Sequence, residues 1–386
     1  MLYTVIMKNA IKKIICFLLA SAILFSLSGC GKNVIYETYD GFFGSDVTLV
    51  VTGGDFSAAK RAWKTISKKL DDIKSVLSAD ESDFDGGKKS DVALFNSLPS
   101  GGKTEVTEAT FHLIEECVRL GVLSGGVFNP CVFGLSDLWG FTSRFYRADY
   151  KRKEKYDRDF NSVGGFEDPR REYIDAFLRL ADFSSLTTEQ SDGKYYLVKT
   201  CPSVTVDGTT YEQRLDLSAV AKGYAADEVA PLLGSLGCDY YISFGGSSLY
   251  LGETCGGAWD LKITDPSSKT RSSLGSVKVK NTFVSTAGTY ERRYFTESGE
   301  LRHHIIDGLT GSPADTDVLS VTLIGDDCSF SDGLSTALVA MGSKACLEYL
   351  ENQTDYRYIV VTSAKKIFTD ADLTLSDGVD YTVVKR

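Results

Sequence analysis

Apolar residues recur at helical spacing between residues 57 and 77, which predicts an amphipathic helix with a buried face at Ala58, Ala62, Ile66, Leu70, Ile73 and Leu77. The same reasoning predicts helices over about 106–124, 170–180, 219–234, 331–341 and 343–352. Short runs rich in β-branched and aromatic residues predict strands at 47–51, 195–199, 203–206, 240–243, 261–263, 275–279 and 319–324. This mixed order favours an α+β fold with mixed, largely antiparallel sheets and packed helices over a doubly wound sheet.

The N-terminus has the pattern of a bacterial lipoprotein signal. Three lysines precede an apolar run from Ile14 to Leu27 that is too short for a comfortable membrane span. The run ends at Leu27-Ser28-Gly29-Cys30, which has the form of a lipobox. We therefore expect cleavage before Cys30 and a lipid anchor on that thiol at the extracytoplasmic face of a bacterial cell membrane. An ordinary signal peptide or a short anchor helix is the alternative.

These features divide the chain into a signal peptide over residues 1–29, a tether over 30–45 and one large domain over 46–386. Within that domain, residues 142–172 hold a dense mixture of charges with few aliphatic residues, which predicts an exposed insertion. Cleavage would remove three lysines and no acidic residue, moving the net charge from −10 to about −13. That acidity argues against nucleic acid as a partner and leaves the lipid anchor as the membrane attachment.

The cysteines show neither a disulfide framework nor a zinc-binding spacing. Seven remain after Cys30, an odd number without any Cys-x-x-Cys pair. We interpret them as small buried apolar residues.

Candidate chemistry lies in three segments. The adjacent pair His303-His304 precedes Ile305-Ile306-Asp307, and imidazole is the side chain best suited to move protons near neutral pH. Asp332 and Thr336 stand four residues apart, so on a helix they share a face and could hold a hard cation, although helix capping explains the pair as well. Lys222 follows Asp216 and lies among small apolar residues. The start of a helix here could bind an anion, or the lysine could simply extend to solvent.

The order of these segments resembles the ApbE family of FAD:protein FMN transferases. The matching pieces are Gly126-Val127-Phe128-Asn129-Pro130, Asp216 to Asp227 with Lys222-Gly223, Phe244-Gly245-Gly246, Thr286 to Arg292, His304-Ile305-Ile306-Asp307, and Ser331 to Leu338. Together they cover most of the chain from about residue 40 to 365 and imply an ApbE-like flavin transferase fold. The resemblance implies a divalent-metal enzyme, with Mg²⁺ as the usual ion, that cleaves its substrate FAD. It would join FMN to a Ser or Thr hydroxyl of an acceptor protein and release AMP.

The resemblance also implies roles for residues at matching positions. Flavin-nucleotide contacts fall on Phe43, Val127, Phe128, Asn129, Asp216, Lys222 and Ile306. Metal ligands fall on Asp332, Thr336 and the Ala219 carbonyl, with Ser335 a weaker candidate. His304 would accept the proton of the acceptor hydroxyl, and Lys222 would assist in charge neutralisation. The expected acceptor is an extracytoplasmic domain of a membrane redox subunit.

Several positions depart from the family pattern. Asn129 replaces the usual Asp, and Gly308 replaces the usual Pro after Asp307. Ala287 stands where Ser is common, and Ser247 where Asp or Asn is frequent. These departures bear on flavin affinity more than on the chemistry, because the predicted metal pair, Lys222 and His304 are all retained.

Two other classes of protein remain as alternatives. One is a lipoprotein that holds FAD as a carrier, or hydrolyses it as an FAD pyrophosphatase, without modifying a protein. The other is a solute-binding lipoprotein with unrelated chemistry. For the transferase, an unperturbed imidazole at position 304 predicts a rate that falls below about pH 6.

The lipobox generates the first test. Cys30→Ala should yield a soluble or uncleaved protein, because the acylated thiol supplies the membrane attachment. Cell fractionation and intact-mass measurement check this. Unchanged membrane fractionation together with an unchanged mass would argue against lipidation.

Overall fold

The computed structural model describes residues 34–79, 89–142, 168–236, 239–253, 257–296 and 298–386. In these ranges the chain forms seven α-helices: α1 (Phe56–Leu77), α2 (Asp91–Ser97), α3 (Glu108–Leu123), α4 (Phe133–Leu138), α5 (Arg171–Leu180), α6 (Ser218–Leu233) and α7 (Ser329–Glu351). The predicted helices near 57–77, 106–124, 170–180 and 219–234 are confirmed as α1, α3, α5 and α6. The signal peptide, Cys30 and residues 143–167 of the expected insertion lie outside the described residues.

The strands confirm the predicted α+β class. They are β1 (Val34–Phe42), β2 (Ser45–Thr52), β3 (Lys103–Val106), β4 (Leu186–Ser191), β5 (Lys194–Lys199), β6 (Val204–Val206), β7 (Thr209–Tyr211), β8 (Asp239–Phe244), β9 (Ser248–Gly252), β10 (Trp259–Thr264), β11 (Ser273–Val279), β12 (Thr282–Gly288), β13 (Arg293–Phe295), β14 (Leu301–His303), β15 (Val318–Gly325), β16 (Arg357–Thr362), β17 (Lys366–Thr369), β18 (Thr374–Leu375) and β19 (Thr382–Lys385).

A nine-stranded sheet organises the fold, in the order β1-β2-β8-β9-β12-β15-β16-β17-β19. Its neighbours are antiparallel except for the parallel pair β17 and β19. Strand β1 pairs with β2 from Val34↔Thr52 to Phe42↔Ser45. The expectation of a tether over 30–45 is therefore wrong for residues 34–42. Their polar composition hid a strand whose outward side chains face solvent, since only Ile35 and Phe42 are buried.

Alternation along the strands gives this sheet two covered faces. In β2, Val47, Leu49 and Val51 belong to a core shared with helices α1, α3, α6 and α7. The intervening Val50 points to a second core, where strands β10 and β11 cover the opposite face. The nine-stranded sheet therefore lies between a helical layer and a small sheet ordered β10-β11-β18.

Helix α7 confirms the break that the sequence predicted between 331–341 and 343–352. The helix continues from Ser329 to Glu351, but Gly342 has φ of 78° and ψ of 164°, outside helical values. A left-handed φ favours glycine, which explains why the break falls at this residue. The first half of α7 is almost wholly buried, which brings its N-terminal turns against α6.

Helices α6 and α7 cross in close contact at Gly223. A Cβ atom at this position would lie 2.2 Å from the Cys328 carbonyl oxygen and 2.7 Å from the Asp332 Cβ. Only glycine allows the backbone of α6 to approach the start of α7 this closely. The crossing therefore fixes the distance between Lys222 on one helix and Asp332 on the other.

This crossing generates a stability prediction. Gly223→Ala should lower the free energy of unfolding by about 1–3 kcal/mol, because the methyl group meets backbone atoms that cannot turn away. Gly234→Ala, just beyond the end of α6, is the matched control, since a Cβ there meets nothing within 4 Å. Chemical denaturation of both variants checks the prediction. Equal stability of the two would contradict a tight crossing.

Candidate active site

A cavity of about 890 Å³ lies at one end of the nine-stranded sheet. It extends from the starts of α6 and α7 to the small sheet on the opposite face. Its walls bring together segments that are distant in sequence: 44–48, 127–136, 216–222, 243–249, 261–264, 271–273, 284–292, 304–306 and 320–340. Of the residues predicted for the site, Val127, Phe128, Asn129, Asp216, Ala219, Lys222, His304, Ile306, Asp332 and Thr336 line this cavity.

Asp332 is a buried carboxylate at the start of α7. Its Oδ2 accepts a hydrogen bond of 2.9 Å from the Gly223 N–H, across the helix crossing. Burial raises the pKa of Asp332 above its ordinary value, while Lys222, the Gly223 N–H and the Ser248 hydroxyl act in the opposite direction. A buried carboxylate needs compensating positive charge. Asp332 is therefore suited to hold a cation at the cavity wall.

The surroundings of Asp332 fit the predicted ligand set. In a regular helix the Gly223 N–H bonds the carbonyl four residues earlier, which belongs to Ala219. The Gly223 N–H donates to Asp332, and Ala219, one turn earlier on the same helix, lines the cavity. The Thr336 hydroxyl makes only a long contact of 3.4 Å with the Asp332 carbonyl. Three hard oxygen donors thus line one wall, which is the donor type that Mg²⁺ prefers.

The site is not a cluster of acidic or imidazole ligands. Within the described ranges, no group of three or more His, Cys, Asp and Glu side chains could hold a metal ion. Any cation near Asp332 would thus depend on neutral protein oxygens and on oxygens of a bound substrate. Ser335, the weaker candidate, is buried and donates to the Asp332 carbonyl at 2.9 Å, so its hydroxyl supports the helix turn.

Asp216 and Lys222 frame the start of α6. The Asp216 Oδ1 accepts from the Ser218 N–H at 2.9 Å, and the Asp216 N–H donates to the Pro130 carbonyl at 2.9 Å. Asp216 thereby accepts from the first N–H of the helix and joins the helix to the turn at 127–130. The Lys222 Nζ donates to the Ser218 carbonyl at 3.1 Å and lies at the cavity wall. Its ammonium group can neutralise a bound phosphate without leaving α6.

The two adjacent histidines have different environments. The His303 Nε2 lies 3.0 Å from the Ala314 carbonyl, and burial lowers the pKa of His303 to about 4. His304 lines the cavity instead, and its Nδ1 has no hydrogen-bond partner among the described residues. Burial lowers the His304 pKa well below its ordinary value, and the nearby positive charges of Arg292 and Lys222 lower it further. The lowered pKa therefore keeps the His304 imidazole neutral at neutral pH.

This environment corrects one expectation. An unperturbed imidazole predicts loss of activity below about pH 6, but a depressed pKa keeps His304 unprotonated below that value. The loss should then begin at a lower pH. Tertiary contacts lower the His304 pKa. Burial at the cavity wall and the two neighbouring cations are not visible in the local sequence.

The turn at 127–129 is held by its own side chains. The Phe128 N–H donates to the Ser124 Oγ at 2.9 Å. The Asn129 Oδ1 accepts from the Cys131 N–H at 2.8 Å, and its amide group donates to the Ala181 carbonyl. An ionised aspartate could not make the second contact, because it has no proton to donate. Asn129 therefore fits the donor and the acceptor around it, even though it departs from the family pattern.

Gly308 is a neighbour of the same turn. Its N–H donates to the Val127 carbonyl at 2.9 Å, and a Cβ there would lie 2.5 Å from the Gly126 carbonyl oxygen. Proline, usual in the family at this position, would remove the donor. The departures at 129 and 308 thus form one local arrangement that joins the turn to the Ile306 segment.

Phe43 is the one predicted contact residue that does not line the cavity. Its ring packs edge-on against Phe42, with the centroids 4.9 Å apart, and its φ is 46°. The adjoining residues Gly44, Ser45 and Asp46 face the cavity instead. The turn between β1 and β2 therefore reaches the site through these three residues, one to three positions beyond the predicted one.

Three cationic residues at the cavity had no predicted role. Arg292 donates to the Phe43 carbonyl at 3.3 Å and accepts at its own carbonyl from the His304 N–H at 3.0 Å. It was visible in the sequence beside the small patch at 286–289. Lys262 and Arg271 come from β10 and the turn after it. Exposed cations in a strand region carry no local signal, so these two could not be found from the sequence.

The fold and the motifs both have counterparts among known proteins. The model of the ApbE family matches residues 43–360. A protein of Vibrio cholerae serotype O1 named FAD:protein FMN transferase is 30% identical over 302 residues, covering 78% of this chain and 80% of its own. A protein of the same name from Haemophilus influenzae is 26% identical over 357 residues, covering 91% and 93%.

Solved structures show the same fold. The flavin transferase ApbE from Vibrio cholerae superposes with a TM-score of 0.67 at 23% identity, over 90% of this chain and 98% of that one. The ApbE protein from Thermotoga maritima gives a TM-score of 0.65 at 24% identity, over 89% and 97%. At these identities the structures support the architecture alone.

Proposed function

The chain belongs to the ApbE family, and on that basis we propose that it transfers FMN from FAD to a Ser or Thr hydroxyl of an acceptor protein, releasing AMP. The observation that carries the proposal is one cavity in which a buried Asp332, Lys222 and a neutral His304 face the same space. This combination suits phosphoryl transfer, which needs charge neutralisation and an oriented nucleophile.

In the proposed reaction the acceptor oxygen attacks the phosphorus on the FMN side of the FAD pyrophosphate. A new phosphoester P–O bond forms, and the P–O bond to the AMP half breaks. The hydroxyl proton passes to the His304 imidazole, and the AMP phosphate leaves with the pyrophosphate oxygen. A general base at hydrogen-bond reach typically contributes about 10²–10⁴ in rate.

Charge on the pyrophosphate is neutralised from two sides in this scheme. Asp332, Thr336 and the Ala219 carbonyl would hold a divalent cation, with Mg²⁺ the expected ion. Such a cation supplies electrostatic stabilisation of the phosphate oxygens when it is bound. Lys222 contributes a fixed ammonium group from α6. Val127, Phe128, Asn129 and Ile306 would contact the flavin half, because they line the same cavity as these charged groups.

The cellular setting is also a proposal. The lipobox motif supports a lipid anchor at Cys30 and a site outside the cytoplasmic membrane, where membrane redox subunits are candidate acceptors. Among the described residues, no helix is long and apolar enough to cross a membrane.

A carrier that binds FAD without transferring it is the competing function. Incubation with FAD and Mg²⁺ separates the two, because a transferase releases AMP with an acceptor and slowly hydrolyses FAD to FMN and AMP without one. A carrier would return FAD intact. The reactive groups around Asp332 favour the transferase, since simple binding does not need a neutral imidazole at the cavity wall.

The metal assignment predicts the effect of two substitutions. Asp332→Ala should reduce Mg²⁺-dependent AMP release by about 10²-fold or more, because it removes the only charged protein ligand proposed. Thr336→Ala should be milder, since a hydroxyl is a neutral ligand. AMP release is measured by chromatography across a Mg²⁺ series. The exposed Asp326→Ala is a matched control, and full activity of Asp332→Ala at limiting Mg²⁺ would contradict the assignment.

The proton assignment predicts a contrast between the histidines. His304→Ala should keep FAD binding near normal and slow single-turnover transfer by about 10²-fold, because a base acts in the transition state. His303→Ala should be less damaging to transfer, since that imidazole faces the Ala314 carbonyl. The wild-type rate should hold at pH 6 and fall only at lower pH, because the His304 pKa is depressed.

Single-turnover rates over a pH series check both statements. Equal losses from the two substitutions would indicate a structural pair. A wild-type rate that halves between pH 7 and pH 6 would contradict the depressed pKa. Weaker FAD binding with normal transfer at saturation would make His304 a nucleotide ligand.

A further inference from the structure

Strand β10 is an edge strand with one open side. In the small sheet it pairs with β11 from Trp259↔Val279 to Thr264↔Ser273. The sheet order places β11 between β10 and β18, and within the described ranges β10 has no second neighbour. A row of its backbone N–H and C=O groups is therefore not paired within a sheet. Such a row is a template for another extended chain.

Strand β10 borders the cavity. Leu261, Lys262, Ile263 and Thr264 are consecutive, and all four line it. Because successive side chains of a strand point to opposite faces, four consecutive lining residues place the backbone of β10 at the cavity wall. Leu261 and Ile263 are buried against the nine-stranded sheet, while Lys262 is exposed. The cavity wall here is thus formed by β10, and Lys262 is the exposed residue among the four.

The floor of this half of the cavity is polar and leads to the reactive groups. Thr48, Ser243, Thr286 and Thr322 line it from four strands of the large sheet. The Thr286 and Thr322 hydroxyls are 2.9 Å apart. The same cavity continues past Ala287 to His304 and Asp332. A chain lying along β10 would therefore have a continuous path to the proposed base.

We propose that the open side of β10 binds the acceptor polypeptide as an added strand, and so brings its Ser or Thr hydroxyl to His304. The inference rests on the proposed transfer to a protein. A row of alternating backbone donors and acceptors is complementary to another extended backbone. Among the described residues Lys262 makes no ion pair, so its ammonium group is available for an acidic side chain of the bound segment.

The first experiment tests backbone pairing. Wild-type protein, FAD and Mg²⁺ are incubated with a pool of random peptides of about twelve residues, each with one central threonine, a length that spans the six residues of β10. Mass spectrometry identifies peptides that gain FMN. Because backbone pairing is tolerant of sequence, many members of the pool should react. Methylation of backbone nitrogens in a reactive peptide should then lower kcat/KM about tenfold at alternate positions and little between them.

The outcomes are distinct. If AMP is released but no peptide gains FMN, the strand-addition proposal is overturned while the FAD chemistry is supported. Neither AMP nor labelled peptide would overturn both. Labelled peptides whose rates fall equally at every methylated position, or at none, would overturn strand pairing.

A matched pair of charge reversals tests Lys262. Lys262→Glu should change the ratio between the FMN-transfer rate with acidic peptides and the rate with basic peptides. The ratio should fall about tenfold or more, because the substitution reverses the charge beside the bound segment. Lys278→Glu on the neighbouring strand β11 is the control, since Lys278 does not line the cavity and pairs with Asp260 at 3.3 Å. It should leave both the ratio and AMP release unchanged. An equal ratio in Lys262→Glu and wild type would overturn the placement of the acceptor beside Lys262.

Discussion

The contact between the Gly223 N–H and the Asp332 carboxylate is the constraint on which the site depends. It requires a residue without a side chain on α6, because a Cβ would collide with the Cys328 carbonyl. It also holds a carboxylate in a buried position, where isolation is costly and a cation is favoured. The close crossing of the two helices thereby places a buried carboxylate at the cavity wall, where a cation would stabilise it.

The remaining reactive groups follow from the same packing. Lys222 precedes Gly223, so the crossing that places Asp332 also sets the ammonium group beside it. Lys222 acts on His304 as well, because its positive charge helps to keep that imidazole neutral. One arrangement therefore brings together a buried carboxylate, an ammonium group and a neutral imidazole, which suit the proposed transfer. The residues that pack this helix crossing are therefore also, or adjoin, those proposed for the reaction, as expected where functional groups are buried.

The sequence predicted the helices better than the edges of the fold. The spacing of Asp332 and Thr336 and the apolar neighbours of Lys222 are local signals, and all three residues line the cavity. Strand β1 was mistaken for a tether because an edge strand with one solvated face has few apolar residues. The depressed His304 pKa and the position of Lys262 depend on contacts between distant segments. No local pattern could reveal either.

We propose that the Asp332 carboxylate, beside the Gly223 N–H, binds a divalent cation. The most direct test is NMR of the FAD-bound protein with Mn²⁺ as the paramagnetic ion. The account predicts strong broadening of the Gly223 amide signal, because its nitrogen lies 2.9 Å from the proposed ligand oxygen. The amide of Gly234, at the far end of α6, should keep a sharper signal. Equal broadening of the two, or none at Gly223, would contradict the account.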